Sequence, residues 1–238
     1  MFKSKALLSV SSDAKTIKGE TLGFLTGILY LAPANTTKWN TCPMAKKAQC
    51  DVACLNTAGR GAFSSVQTAR INKTTWFFTE RNSFMQQLVV DIAKLIKKAN
   101  KQGLKPLVRL NGTSDIRWET IGFTDTDGIE YVNIFAAFPN IQFYDYTKRG
   151  NRTELPSNYD LTFSYSGVEG FQPYVENALL NNMRMAVVFR KEKDIPMTFK
   201  GIRVVSGDNS DVRHLDDKVI VGLYAKGKAK LDTTGFVV

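Results

Sequence analysis

A chain of 238 residues with 43% hydrophobic and 11% aromatic content can bury one large α/β core or two small ones, which excludes a disordered protein. No apolar run approaches the ~20 residues that cross a bilayer, so no membrane span is expected. The net charge of +10 favours polyanionic partners, because Lys and Arg bind phosphates with release of counterions.

The opening segment, MFKSKALLSVSSDAKT, has slight positive charge and a short apolar run but no cleavage site, so no leader is expected. The first clear apolar element, Leu22 to Ala34, has the density of a buried strand. A long helical region follows from Phe63 to Asn100, with Ser64 or Ser65 as its cap and a break at Asn82–Ser83. From Phe84 onward, Leu88, Val89, Ile92, Leu95 and Ile96 keep helical spacing and mark a core-facing stripe. Lys97, Lys98, Lys101 and Gly103 form its stop, since cations and glycine suit a helix C-terminus.

After Pro106 the pattern changes to short strands, at 106–112, 140–148, 159–167, 184–190, 201–208 and 218–227, with helices at 129–138 and 170–182. Alternating strands and helices predict a single α/β domain over residues 1–238, built on a mainly parallel sheet. Seven strands make a closed or partial (β/α) barrel, or a large open sheet. In either form chemistry collects at the carboxyl ends of the strands.

The chain has three cysteines, Cys42, Cys50 and Cys54, crowded into TCPMAKKAQCDVAC within a loop spanning 41–61. An odd, clustered set argues against a secreted disulfide scaffold and for an intracellular, cytoplasmic protein. Thiolates this close suit zinc or an iron–sulfur centre. The C-x7-C-x3-C spacing lacks the paired C-x2-C halves of a zinc module, and three ligands leave one coordination position open. His214, the only histidine, is the candidate for completing a closed zinc staple.

Other polar groups fall at strand ends. They are Arg109, Asn111, Gly112, Thr113, Ser114 and Asp115; Tyr144, Asp145, Tyr146 and Lys148; Ser164 to Ser166; and Ser206 to Asp208, with Asp211, Arg213, His214 and Asp216 beyond. Alternation sends Tyr144 and Tyr146 to one face and Asp145 to the other. NGTSD and SGDNSD are also good turn sequences in their own right. One histidine and no G-x-S-x-G elbow exclude a histidine-based triad, and neither a P-loop nor a dinucleotide fingerprint is present.

Three segments together resemble the phage gene product 88 domain proteins. TCPMAKKAQCDVACLNTAGRGAFSSVQTAR is similar to that family's Cys-Pro, Cys, Cys-Tyr-Ala-x-x-Gly stretch, with Leu55 in place of the tyrosine. VRLNGTSDI looks like its Arg-x-x-x-Ser-Gly-Asp-Phe segment, and FPNIQFYDYTKR like its Pro-x-x-x-Phe-x-x-Tyr-Thr-Arg segment. The likeness is strong over residues 37–150.

A cysteine loop after the first strand in turn resembles radical S-adenosylmethionine enzymes, whose usual spacing is C-x3-C-x2-C, a fold-level analogy. The resemblance implies that Cys42, Cys50 and Cys54 ligate a four-iron four-sulfur (4Fe-4S) cluster bearing S-adenosylmethionine. It puts Asn111, Ser114, Asp115 and Asp208 on the cofactor side and Tyr146 and Lys148 on the substrate side. The expected function is a phage iron–sulfur enzyme acting on a nucleotide or nucleic acid in the host cytoplasm. Two alternatives are a zinc-stabilised basic nucleic-acid-binding protein and a zinc-bearing base-exchange barrel enzyme with Asp115 or Asp145 as nucleophile.

Overall fold

The computed structural model describes residues 6–11, 14–34 and 36–238. The expectation about a leader rests partly on residues 1–5, outside the described part. In chain order the elements are β1 (Leu8–Val10), α1 (Ala14–Glu20), β2 (Phe24–Leu29), α2 (Ser64–Thr79), α3 (Arg81–Lys101), β3 (Lys105–Arg109), β4 (Phe123–Thr124) and β5 (Glu130–Tyr131). There follow α4 (Ile134–Ala137), β6 (Gln142–Thr147), β7 (Tyr159–Ser164), α5 (Gln172–Leu180), β8 (Met185–Phe189), β9 (Thr198–Phe199), β10 (Ile202–Ser206) and β11 (Ile220–Tyr224).

Nine strands form one sheet in the order β1-β2-β3-β6-β7-β8-β11-β10-β9. The seven from β2 to β10 in that row are parallel, and β1 and β9 are antiparallel edges. These seven are the expected strands. Their spatial order differs from chain order, because β11 inserts between β8 and β10. Among the described residues no pairing joins the two edges.

Strand alternation divides the side chains between two faces. The outer face carries Leu25, Leu29, Val108, Phe143 and Leu161, which join Phe84, Met85, Leu88, Ile92 and Leu95 of α3 in the largest core cluster. Each such side chain contributes about 1.5–3 kcal/mol when fully buried. Farther along, Val175 and Ala178 of α5 pack on Phe163, Met185 and Val187. The inner face holds smaller clusters, in which Val212 covers Leu107 and Tyr144, and Tyr146 packs against Ala186, Val219 and Val221.

Several expectations are corrected. The break between the long helices falls at Glu80, whose backbone (φ −140, ψ 60) leaves the helical region, and not at Asn82–Ser83. Phe63, with no side-chain acceptor, stands at the start of α2, so neither serine caps it. The stretch 129–138 is helical only over Ile134–Ala137. Its first part belongs to the β4–β5 hairpin, where the Asp125 carboxylate accepts the amides of Asp127 and Ile129.

Candidate functional site

A cavity of about 410 Å³ opens at the carboxyl ends of the parallel strands. Its wall includes Tyr30 after β2, Arg109 of β3, Tyr146 and Thr147 of β6, Ser164 of β7, Ala186 and Val188 of β8, and Leu223 and Tyr224 of β11. All three cysteines face it. They also border a second space of about 280 Å³, beside Pro33, Ala34, Thr36 and Asp51.

Hydrogen bonds to different strands hold the cysteine loop. Near Cys42, the Asp115 amide donates to the Thr41 carbonyl (2.8 Å) and the Thr113 hydroxyl to the Leu31 carbonyl (2.5 Å). Near Cys50, the Ser166 hydroxyl donates to the Ala48 carbonyl (2.9 Å), and Ala48 is sunk in the core beneath α5. Cys54 accepts the Asn56 amide at 3.5 Å, and the Arg70 guanidinium, lying over the Tyr30 ring, donates to Asn56 Oδ1. Gly112 allows a close approach beside the cavity, since a Cβ there would lie 2.5 Å from the Tyr30 ring and 2.8 Å from the Leu29 carbonyl.

None of the thiols is in a disulfide. Burial raises all three thiol pKa values and pushes Cys42 up to about 12. The Lys148 ammonium works against burial at Cys50, and Arg70 does so at Cys54. Lys148 is itself driven down to about 8 by burial, with Cys50 and Asp115 opposing the fall. Its Nζ donates to the Tyr165 carbonyl at 2.9 Å and lies 4.6 Å from the centre of the Phe236 ring.

Among the described residues, no three His, Cys, Asp or Glu side chains are gathered closely enough to hold a single metal ion. His214 cannot complete a zinc staple. It packs edge-on against Phe24 and senses Lys105, Asp160 and Arg184, all at the amino-terminal ends of strands and so opposite the cysteine loop. Asp115, the carboxylate that acts electrostatically on both Cys42 and Cys50, is engaged by the Thr147 hydroxyl (2.8 Å), the Lys148 amide (2.9 Å) and Arg152 (3.5 Å). The three thiols thus line one cavity wall without being gathered into a metal site among the described residues.

The candidate residues fall into two groups. Asp115, Tyr146, Lys148, Asn111, Ser114 and Asp208 line the cavity with the cysteines. Asn111 and Ser114 spend their polar atoms on their own turn, since Asn111 Oδ1 accepts from Ser114 Oγ, the Ile116 amide and Trp118 Nε1. Asp208 accepts Lys226 Nζ at 2.8 Å. Asp145 is not in the wall: it is wholly buried and takes the amides of Leu110 (3.3 Å) and Asn111 (2.7 Å) and the Tyr159 hydroxyl (3.0 Å). Alternation fixes this outcome, for Tyr144 and Tyr146 point inward and Asp145 between them does not.

Asp211, named from the sequence only as a polar residue beyond a strand end and given no role, has a carboxylate that gathers Arg109 (2.8 Å), Tyr144 (3.1 Å) and Tyr146 (3.0 Å). Burial works to lower the Arg109 pKa, but Asp211 and the tyrosines outweigh it and hold it above the ordinary value. Tyr30, Lys226 and Phe236 are also in the wall without having been singled out. Phe236 arrives because the C-terminal segment folds back beside β8, the Val238 amide donating to Val188 and its carbonyl accepting from Arg190 (2.9 and 2.8 Å).

A family model for gene product 88 matches residues 5–238, so the chain belongs to that family. No curated protein and no solved structure matches it.

Proposed function

We propose that this member of the gene product 88 family is an enzyme whose Cys42, Cys50 and Cys54 would hold an iron–sulfur cluster beside the cavity. The observation that carries the reading is that three thiols from one loop, none in a disulfide, line the same cavity at the carboxyl edge of the parallel strands. When bound, a cluster of this kind would supply one-electron chemistry, with S-adenosylmethionine as the candidate second cofactor.

The scaffold is read as a partial (β/α) barrel. Six neighbouring strands reach one cavity, yet in a flat sheet the first and sixth would lie about 24 Å apart at ~4.8 Å spacing. A curled row would bring all six to the same space, which supports the partial-barrel reading. The loop after β10 lies across the hollow, with Val212 against Leu107 and Tyr144 and Asp211 holding Arg109.

The chain's own residues have separable roles under this reading. Lys148 and Arg70 set positive charge beside Cys50 and Cys54, which favours deprotonated sulfur as a ligand. Asp115 positions Cys42 through its amide and Lys148 through its carboxylate. Tyr30, Tyr146, Leu223 and Phe236 give the cavity an aromatic and aliphatic wall that would limit the water around a bound centre. The substrate is expected to carry phosphate, in keeping with the +10 charge.

Protein purified and reconstituted without oxygen tests this directly. Brown protein with iron and sulfide in equal amounts is expected, and Cys42→Ser, Cys50→Ser and Cys54→Ser should each lose the iron while keeping the wild-type circular dichroism spectrum. Colourless protein carrying one zinc, with the serine variants unfolding, would replace this reading by the zinc-stabilised one, because structural zinc supplies folding free energy.

A further inference from the structure

The mouth of the cavity carries a feature that the cysteine centre does not require. One side is the 3-10 segment Leu55–Thr57 with the turn Gly59–Ala62 behind it, and the other is the C-terminal segment Gly227–Leu231. The two are pressed together, since a Cβ on Gly227 would lie 2.8 Å from the Ala58 methyl and 3.3 Å from the Thr57 carbonyl. Both reach the cavity, through Cys54 and Leu55 on one side and Lys226 and Ala229 on the other.

Neither side contains an acid. The sequence has no Asp or Glu between Asp51 and Glu80, and none between Asp217 and Asp232, while Arg60, Lys226, Lys228 and Lys230 fall within these spans. Arg60, Lys228 and Lys230 are exposed. Large apolar side chains stand exposed beside them, with Leu55 and Phe63 at 60% and Leu231 at 83%. A solvated basic face does not need large exposed apolar groups, and an apolar protein interface disfavours a run of lysines. Cations interleaved with apolar and aromatic platforms suit a strand whose phosphates and unstacked bases are both accessible.

We propose that the substrate of this site is single-stranded nucleic acid. Its phosphodiester backbone runs over the rim formed by Arg60, Lys228 and Lys230, and one base enters the cavity. A duplex base cannot enter without leaving its stack, and a cavity of about 410 Å³ lies within the range that takes a ligand of nucleoside size. Base entry rests on reading the cavity as an active site; rim binding does not.

The test uses fluorescence anisotropy of the full chain with a fluorescein-labelled, mixed-sequence DNA single strand of about a dozen nucleotides and with its duplex. The single strand should bind tighter than the duplex and weaken steeply with salt. The triple variant Arg60→Ala, Lys228→Ala, Lys230→Ala should weaken binding about tenfold or more and lower the salt slope by about two, at ~0.7 per phosphate contact. Phe63→Ala should weaken binding with the salt slope unchanged, because stacking releases no counterions. Lys97→Ala, Lys98→Ala, Lys101→Ala, at the opposite end of the sheet, should bind as the parent does. A 2-aminopurine base in the strand should brighten on binding as it unstacks.

Equal affinity for duplex, equal loss in the α3 variant, or a rim variant that binds like the parent would overturn the proposal. Cys42→Ser separates the two readings, since it should lose iron and keep the oligonucleotide. A chain that takes up iron and sulfide but no oligonucleotide defeats the rim inference alone. One that binds oligonucleotide through the rim but takes up no iron defeats the cluster alone.

Discussion

Replacing Asp145 separates a carboxylate that builds the sheet from one that does chemistry. The wholly buried side chain accepts from the Leu110 and Asn111 amides and the Tyr159 hydroxyl at 3.3, 2.7 and 3.0 Å. Asp145→Ala leaves these donors facing a dry hole, and each stranded donor costs about 1–3 kcal/mol. Relaxation of the strand end and entry of water recover part of that, so a net loss of about 3–5 kcal/mol is expected, a large share of the ~5–15 kcal/mol that holds a domain folded. With an m value of about 2 kcal/mol/M, the urea midpoint should fall by roughly 1.5–2.5 M at unchanged m. The buried indoles of Trp76 and Trp118 report the transition by fluorescence. Asp145→Asn, which keeps one acceptor oxygen, should lose about half as much. A midpoint for Asp145→Ala within error of wild type would refute the structural role. An Asn variant of full stability and no activity would restore the nucleophile reading.

Two further outcomes follow from the same buried groups. Asp211→Ala removes the carboxylate from Arg109, and breaking a buried pair costs about 3–5 kcal/mol; limited proteolysis should then cut within 207–216 faster than in wild type, and an unchanged cleavage rate would count against the bridging role of this loop. The Asp145 carboxyl is pushed up to about 7 by burial, against the pull of Arg109 and the Asn111 amide. The native state thus holds a proton that the unfolded chain, titrating near ~3.9, has already released. The stability this gives is complete below the unfolded value and is lost as pH rises through about 7, so urea midpoints of wild type should decline across that window and those of Asp145→Asn should lack that component.

The parallel core was legible because strands buried on both faces read as apolar runs, and all seven runs are strands. Their order was not. β10 and β11 are both short and apolar, and nothing local tells which of them pairs with β8. The strands that escaped notice, β1, β4, β5 and β9, are two or three residues long and carry no period, and the seven-residue helix α1 escaped notice as well. At the site, strand-end position was enough to find Tyr146, Lys148 and Asp115. Asp211 and Arg109 meet across 102 positions of sequence, and Phe236 comes from a terminal segment returning beside β8. Such long-range meetings are properties of the folded chain, and composition leaves no trace of them.

How the cysteine loop is anchored bears on which metal centre it favours. Cys42 is fixed through the Asp115 amide to the end of β3, and Cys50 through Ser166 to the end of β7, while Cys54 leads into α2. The sulfur positions are therefore governed by strand ends and not by the loop alone. A single zinc ion requires every sulfur about 2.3 Å from one point, and the described residues offer no such gathering. Under the proposed cluster reading, drawing the thiols together around one zinc ion would strain the Thr41–Asp115 bond, whereas a centre with several metal atoms would leave it in place. Hydrogen exchange at the Asp115 amide, bonded to Thr41 at 2.8 Å, measures the difference. It should exchange faster after zinc is titrated into the metal-free chain and stay protected in iron-loaded protein. If the amide keeps its protection with zinc bound at one ion per chain, strand anchoring does not select the metal, and the preference for a cluster loses its physical basis.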